Sequence, residues 1–160
     1  MRVGQGYDIH PLRDGRPLVL GGITIPYLQG LDGHSDADAL THAVCDALLG
    51  AMGEGDLGTR YPSNNQEYKD LSSLVMLQSV ASTLVERGFR LVNLDTVILA
   101  QVPKLAPYTH EMRESLSRTL QVDPSQVNVK VKSGEGIGTI GRAEGIATLA
   151  ICLIEQNKPL

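Results

Sequence analysis

The chain has 160 residues, 42% of them hydrophobic and 20% charged, with a formal net charge of −4 and a pI near 5.5. That length suits one domain with a sizeable core, so residues 1–160 are read as a single unit. The acidic balance argues against a nucleic-acid or membrane-surface binder, which needs a basic face.

No apolar run reaches membrane-spanning length. The opening MRVGQGYDIH reads as a strand and not as a signal peptide, so a cytoplasmic protein is expected. Cys45 and Cys152 lie in separate apolar runs without CxxC spacing, and are read as buried hydrophobes in a reducing compartment.

In chain order, residues 2–10 alternate as a strand, and PLVLGGITIPY (17–27) predicts a hairpin turning at Gly21-Gly22. A loop rich in Gly and Asp leads to Ser35 or Asp36 as the cap of a first helix, with Asp36 and Asp38 at its positive end. Leu40, Ala43, Val44, Ala47, Leu48 and Ala51 form its apolar stripe, and GEGDLG (53–58) ends it. Residues 60–70 are polar and turn-rich, a mobile surface loop. A second helix spans 72–88, and LVNLDTVILAQ (91–101) reads as a strand covered on both faces.

A Pro-flanked loop (102–107), a third helix (108–120), the alternating strand VNVKVKS (127–133) and a glycine-rich loop (134–145) follow. The last run, IATLAICLIEQ, favours a buried strand over a helix through its β-branched content. The order predicts an α+β fold with one layer of helices on one sheet. The other sheet face is then left bare and invites self-association.

Asp8 and His10, two apart on a strand, share a face, where a carboxylate and an imidazole can hold a divalent metal. His42 lies on the first helix off its apolar stripe. One Asp, two His and an open fourth position form the donor set of a catalytic zinc. Spacing alone leaves two plainer alternatives open: a water-facing edge-strand pair, and a helix histidine hydrogen-bonded to a neighbour. His34 and Ser35 precede that helix, where backbone N–H groups favour phosphate. Without a GxSxG elbow they do not read as a hydrolase pair. Gly136, Gly138 and Gly141 spell GxGxxG, but too little chain follows for the ribose-binding acid about 20 residues on, so a dinucleotide fold is not expected. A flexible anion-contacting loop with Lys132, Ser133, Glu135 and Arg142 fits better.

The motifs RVGQGYDIH, LGGITIPY, GHSDADALTHAVCDALLGA, GDLG, NLDTVILAQVPKL and VNVKVKSGEGIGTIGRAEGIA together cover nearly the whole chain. In them the chain resembles the 2-C-methyl-D-erythritol 2,4-cyclodiphosphate synthase family of non-mevalonate isoprenoid biosynthesis. The resemblance implies an α/β sandwich with a mixed sheet, assembling as a homotrimer through the sheets, with active sites between subunits. It implies a lyase whose substrate is 4-diphosphocytidyl-2-C-methyl-D-erythritol 2-phosphate. There the 2-phosphate attacks the β-phosphate and releases CMP, a reaction that needs positioning and charge neutralisation more than a base.

The resemblance also implies the residue roles. Asp8, His10 and His42 would hold zinc, and Glu135 a second ion, Mg2+ or Mn2+, bridging the phosphates. His34 and Ser133 would stabilise the transition state, with Ser35, Lys132 and Lys104 near the phosphates. Asp56, Gly58, Tyr61, Ser63 and Asn65 would meet the methylerythritol part. The loop from Ala100 through Pro103 and Leu105 to Ala106 would clasp cytosine. Thr139, Arg142 and Glu144 would lie towards a central cavity with room for an isoprenoid diphosphate. The chain departs from the commoner pattern at Ala37, where Gly is usual and a helix tolerates Ala. Other departures are Ser63 and Asn65 in place of carboxylates, Gly134 in the phosphate loop, and Thr139 in place of an aromatic. Two alternatives to this reading are a zinc-dependent phosphate-ester hydrolase and a non-catalytic trimeric binding module.

Overall fold

The computed structural model describes residues 1–157. The first strand, β1 (Arg2–Asp14), runs four residues beyond the expected stretch. It is followed by the hairpin β2 (Leu18–Leu20) and β3 (Ile23–Ile25), then by β4 (Gln29–Leu31). Next come α1 (Ala39–Met52), the one-turn α2 (Leu57–Arg60), α3 (Ser73–Glu86), β5 (Phe89–Leu99) and α4 (Thr109–Leu120). The chain closes with β6 (Val127–Lys132), the one-turn α5 (Gly138–Gly141) and β7 (Gly145–Gln156). Strand β4, inside what reads as a loop, has only three residues, too few for a period to show.

The five-stranded sheet has the order β4-β1-β7-β5-β6, with β5–β6 parallel and every other pair antiparallel. The final run is therefore a strand, and a central one. Its inward residues Ile146, Thr148, Ala150, Cys152 and Ile154 are all completely buried. Because β7 runs against both β1 and β5, the C-terminal ends of β1, β5 and β6 emerge at one end of the sheet.

Helix α1 lies directly on β1. A Cβ placed on Gly4 would come within 1.8 Å of the Ala47 carbonyl oxygen, and one on Gly6 within 1.9 Å of the Ala43 carbonyl oxygen. Only glycine lets backbone approach backbone this closely.

Helix α1 starts later than Ser35 or Asp36. Its cap is Asp38, whose carboxylate accepts from the Thr41 amide at 3.0 Å. The same carboxylate accepts from the Gly21 and Gly22 amides at 2.8 and 2.7 Å, tying the hairpin turn to the helix. The helix cannot extend backwards because Ala37 has φ 55°, a left-handed conformation. Ala37 therefore occupies a turn and not a helical position, and the glycine usual there would suit it better.

The helices cover one face of the sheet, as expected. On the other face Val3, Tyr7, Ile9 and Ile151 are exposed, and Val97 and Leu149 are half-buried beside them. Strand β5 is consequently covered on one side only within this chain, not on both. The glycine-rich loop is compactly folded. Gly134 and Gly136 pack against Gly141 so closely that a Cβ on Gly141 would meet the Gly136 carbonyl carbon at 2.2 Å. Both cysteines are free and buried.

Candidate metal centre and active site

Alternation along β1 puts Asp8 and His10 on the helix-covered face, where α1 brings His42 over them. The Asp8 Oδ2 atom lies 2.9 Å from His10 Nε2 and 3.0 Å from His42 Nδ1. The ring centroids of the two histidines are 5.5 Å apart and steeply inclined. Among the described residues this is the one group of three acidic, His or Cys side chains whose ligand atoms converge, all within 4.8 Å. The edge-strand and lone-histidine alternatives therefore give way to a single cluster.

The protonation pattern fits a bound cation. The Asp32 carbonyl oxygen can only accept, so His10 Nδ1–H donates to it at 2.8 Å. In the neutral ring Nε2 is then a bare lone pair, buried and without a hydrogen-bond partner. Its contact with Asp8 Oδ2 is a charge contact, not a directed bond. A buried lone pair facing a carboxylate oxygen is repulsive unless a proton or a metal lies between them.

Burial pushes the Asp8 carboxyl upward, but the His10 and His42 imidazoles beside it outweigh that and hold the group well below the usual carboxylate range. Burial likewise opposes protonation of His10, yet the Asp8 carboxylate and the Asp32 carbonyl raise its pKa above the ordinary value of 6.5. An aspartate and two imidazoles converging this closely are a donor set that a divalent metal ion can take.

The three residues open into a cleft of about 250 Å³ lined also by His34, Ser35, Asp46, Gly58, Tyr61 and Ser63. His34 Nε2–H donates to the Asn65 carbonyl at 2.9 Å, and the His34 carbonyl accepts the Asp70 amide at 3.0 Å. The loop 60–70 is thereby anchored to the site, and Tyr61 and Tyr68 stack edge-to-face within it, 5.1 Å apart. Asp46 accepts the Leu57 amide at 2.7 Å and so seats α2, with burial pushing its carboxyl upward. A larger groove of about 620 Å³ between the C-terminal ends of α3 and α4 holds no converging ligand set among the described residues.

A sequence model of the YgbB family matches residues 1–155. The chain belongs to the YgbB family. Its relatives include proteins named 2-C-methyl-D-erythritol 2,4-cyclodiphosphate synthase. The Syntrophomonas wolfei protein is 51% identical over 98% of this chain and 99% of its own length. The Bacillus pumilus protein is 50% identical over 98% of this chain and 99% of its own length. Among solved structures, the Plasmodium falciparum IspF CDP complex aligns with TM-score 0.87 at 32% identity, covering 98% of this chain and 97% of that one. The bifunctional IspDF of Campylobacter jejuni aligns with TM-score 0.93 at 38% identity, covering 97% of this chain, which spans only 42% of that longer one.

In this YgbB-family chain the remaining expected site residues form a second group. Ala100 donates its amide to the Lys132 carbonyl at 2.9 Å, which joins the loop after β5 to the end of β6. Ser133 donates to the Glu135 carboxylate, Gln101 accepts the Gly136 amide at 3.5 Å, and Arg142 pairs with Glu144 at 2.6 Å. Lys104, Ala106, Lys132, Ser133 and Glu135 are exposed, while the Leu105 side chain is buried and only its backbone can meet a ligand.

None of this second group lines the Asp8 cleft. Two or three strand spacings separate them, on the order of 10–14 Å. Thr139 and Glu144 sit between the groups, beside His10. Asp56 is an exposed cap on α2, accepting the Thr59 amide at 2.7 Å. The Asn65 side chain is engaged with Glu67, so its carbonyl is what faces the site.

Nothing in the residue order points to Ser73 or Met76, which arrive from α3, or to the Asp32 carbonyl. Each is brought in by chain contacts remote in sequence. Asp36 was legible only as a possible cap of its own helix. It caps α3 instead, accepting the Ser73 amide at 2.8 Å, while Ser72 makes no side-chain cap.

Proposed function

We propose that the protein converts 4-diphosphocytidyl-2-C-methyl-D-erythritol 2-phosphate into 2-C-methyl-D-erythritol 2,4-cyclodiphosphate with release of CMP, the whole chain 1–160 working as one domain. The convergence of Asp8, His10 and His42 in a cleft, in a YgbB-family chain, carries this reading. A 2-phosphate oxygen forms the new P–O bond to the β-phosphorus, and the bond to the α-phosphate oxygen breaks. The nucleophile is already an anion, so no side chain need remove a proton.

Asp8, His10 and His42 are the proposed zinc ligands. Zinc there supplies Lewis-acid polarisation and charge neutralisation at a phosphate oxygen. Glu135 is the proposed ligand of a second ion, Mg2+ or Mn2+. His34, fixed by the Asn65 carbonyl, faces the charge that develops at the reacting phosphate, with Ser35 beside it. Asp56, Gly58, Tyr61, Ser63 and the Asn65 backbone orient the methylerythritol part. Ser133, Lys132 and Lys104 hold the phosphates, and the backbone from Ala100 to Ala106 holds cytosine.

The separation of the two residue groups supports a homotrimer in which one subunit's nucleotide loop completes another's metal cleft. The exposed apolar face of the sheet is the proposed contact surface. Arg142, Thr139 and Glu144 then lie towards a central cavity that an isoprenoid diphosphate would fit.

The test is turnover of the cytidyl substrate with zinc and magnesium, reading CMP and the cyclic product, beside His42→Ala. Stoichiometric CMP and cyclic diphosphate, lost in the variant, support the reading. Inorganic phosphate release with no cyclic product would point to the phosphate-ester hydrolase instead. No turnover by a folded, metal-loaded protein would leave only the binding module.

A further inference from the structure

The geometry points to Ser73 and Asp36 as positioning residues that fix His42 in the tautomer offering Nδ1 to a metal. The proposal rests on the metal-site reading above, but not on any particular reaction.

The argument is one of proton bookkeeping. Ser73 is completely buried at the first turn of α3. Its hydroxyl has one proton, and Asp36 Oδ1 lies within hydrogen-bond reach of it. The Asp36 carboxylate also accepts the Ser73 amide at 2.8 Å and the Asp38 amide at 3.3 Å. A carboxylate receiving backbone donors has no proton of its own to give, so the serine donates to it.

The Ser73 oxygen is then an acceptor towards its other neighbour, His42 Nε2, at 2.7 Å. Nε2 of His42 therefore carries a proton that it gives to Ser73, and Nδ1, 3.0 Å from Asp8 Oδ2, is the nitrogen left for a metal. Ser35 Oγ also approaches Nε2, but at 3.2 Å, and it accepts the Ala37 amide. A donor from Ser35 would demand the opposite tautomer, and the shorter contact to Ser73 decides against it.

The two histidines thus use mirrored devices. His10 is fixed through Nδ1–H on the Asp32 carbonyl and presents Nε2. His42 is fixed through Nε2–H on Ser73 and presents Nδ1. Outer partners of this kind set ring orientation and raise ligand basicity, and removing one typically weakens metal binding about 10–100-fold. Asp36 does double duty, because the carboxylate that holds the Ser73 hydroxyl also caps α3. Helix packing and ligand orientation therefore share one residue.

The experiment uses the full chain with 15N-labelled histidine. Long-range 1H–15N correlation on metal-free protein assigns the His42 tautomer, and competition titration gives the Zn2+ affinity. The variants are Ser73→Ala, which keeps the backbone amide that Asp36 caps, and Asp36→Asn.

The expected result is a protonated Nε2 in the wild type, and loss of that proton from all or part of the population in both variants. Zn2+ affinity should fall about 10–100-fold in Ser73→Ala, with far-UV circular dichroism unchanged. A Ser73→Ala protein that keeps the Nε2–H tautomer and wild-type affinity overturns the proposal. Should Ser73→Ala fail to fold, Asp36→Asn decides by the same readouts. Should the wild type bind no Zn2+, the metal-site reading falls, and the metal-free tautomer still decides the role of Ser73 and Asp36.

Discussion

Replacing Gly6 by alanine should damage folding and the metal centre together. The new Cβ would lie 1.9 Å from the Ala43 carbonyl oxygen and 2.8 Å from the Ala47 amide nitrogen. Both are backbone atoms of α1, so no side chain can swing aside. Restoring an ordinary contact near 3.4 Å requires the helix to move outward by about 1.5 Å. Overpacking against a rigid neighbour costs roughly 1–3 kcal/mol. The upper end applies here, which lowers the melting temperature by about 6–12 °C for a chain of this size.

The same movement carries His42, next to Ala43, away from Asp8. A shift of about 1.5 Å is some three times the roughly 0.5 Å within which a working constellation must be held. Zn2+ affinity should therefore fall at least tenfold in whatever fraction remains folded. Gly4→Ala presses on Ala47, one turn along the helix, at 1.8 Å. It should destabilise comparably with a smaller effect on metal affinity. Thermal melting and zinc competition on the two variants provide the check. A Gly6→Ala protein with wild-type melting temperature and wild-type zinc affinity would refute the close backbone contact as the device that seats the site.

Four further outcomes are expected. Metal binding requires neutral His10, whose pKa is raised in the metal-free protein. Zinc affinity should therefore fall on the order of tenfold per pH unit as pH drops below that raised value, whereas Asp8, with its lowered pKa, stays ionised throughout. Calorimetry between about pH 6 and 8 reads this, and a flat affinity contradicts it. By the same sign, His10 stabilises the metal-free fold fully below pH 6.5, and this contribution is lost as pH rises through the raised pKa. Neither cysteine should react with a thiol reagent in the native protein, since burial pushes Cys152 up to about 11 and Cys45 well above its usual range. Rapid native labelling at either site would contradict that burial. If the bare sheet face carries the proposed trimer contact, Ile151→Lys should leave monomer in place of trimer in sedimentation velocity and lower turnover, while zinc affinity is kept. A variant that remains trimeric would remove this face as the contact surface.

The sequence by itself determined the elements with a period long enough to read. These are the alternating β1, the stripe of α1, the Gly21-Gly22 turn and the alternating β6, because backbone geometry writes a period of 2 or 3.6 into the order of residues. It also placed Asp8 and His10 on one face and His42 off the apolar stripe, which is local information. Short pieces such as β4, α2 and α5 escaped, since three or four residues carry no period.

Which carboxylate caps which helix also escaped. Asp36, Asp38 and Ser35 are interchangeable as caps in sequence, and only the left-handed turn at Ala37 and the arrival of α3 assign Asp38 to α1 and Asp36 to α3. Tertiary structure alone decided that His10 turns Nε2 and His42 turns Nδ1 to one carboxylate oxygen. Their outer partners, the Asp32 carbonyl and the Ser73 hydroxyl, stand 22 and 31 residues away along the chain. Residue types fix which ligands a chain can offer. Packing of remote segments fixes which atom of each ligand is offered, because a hydrogen bond on one ring nitrogen frees the other.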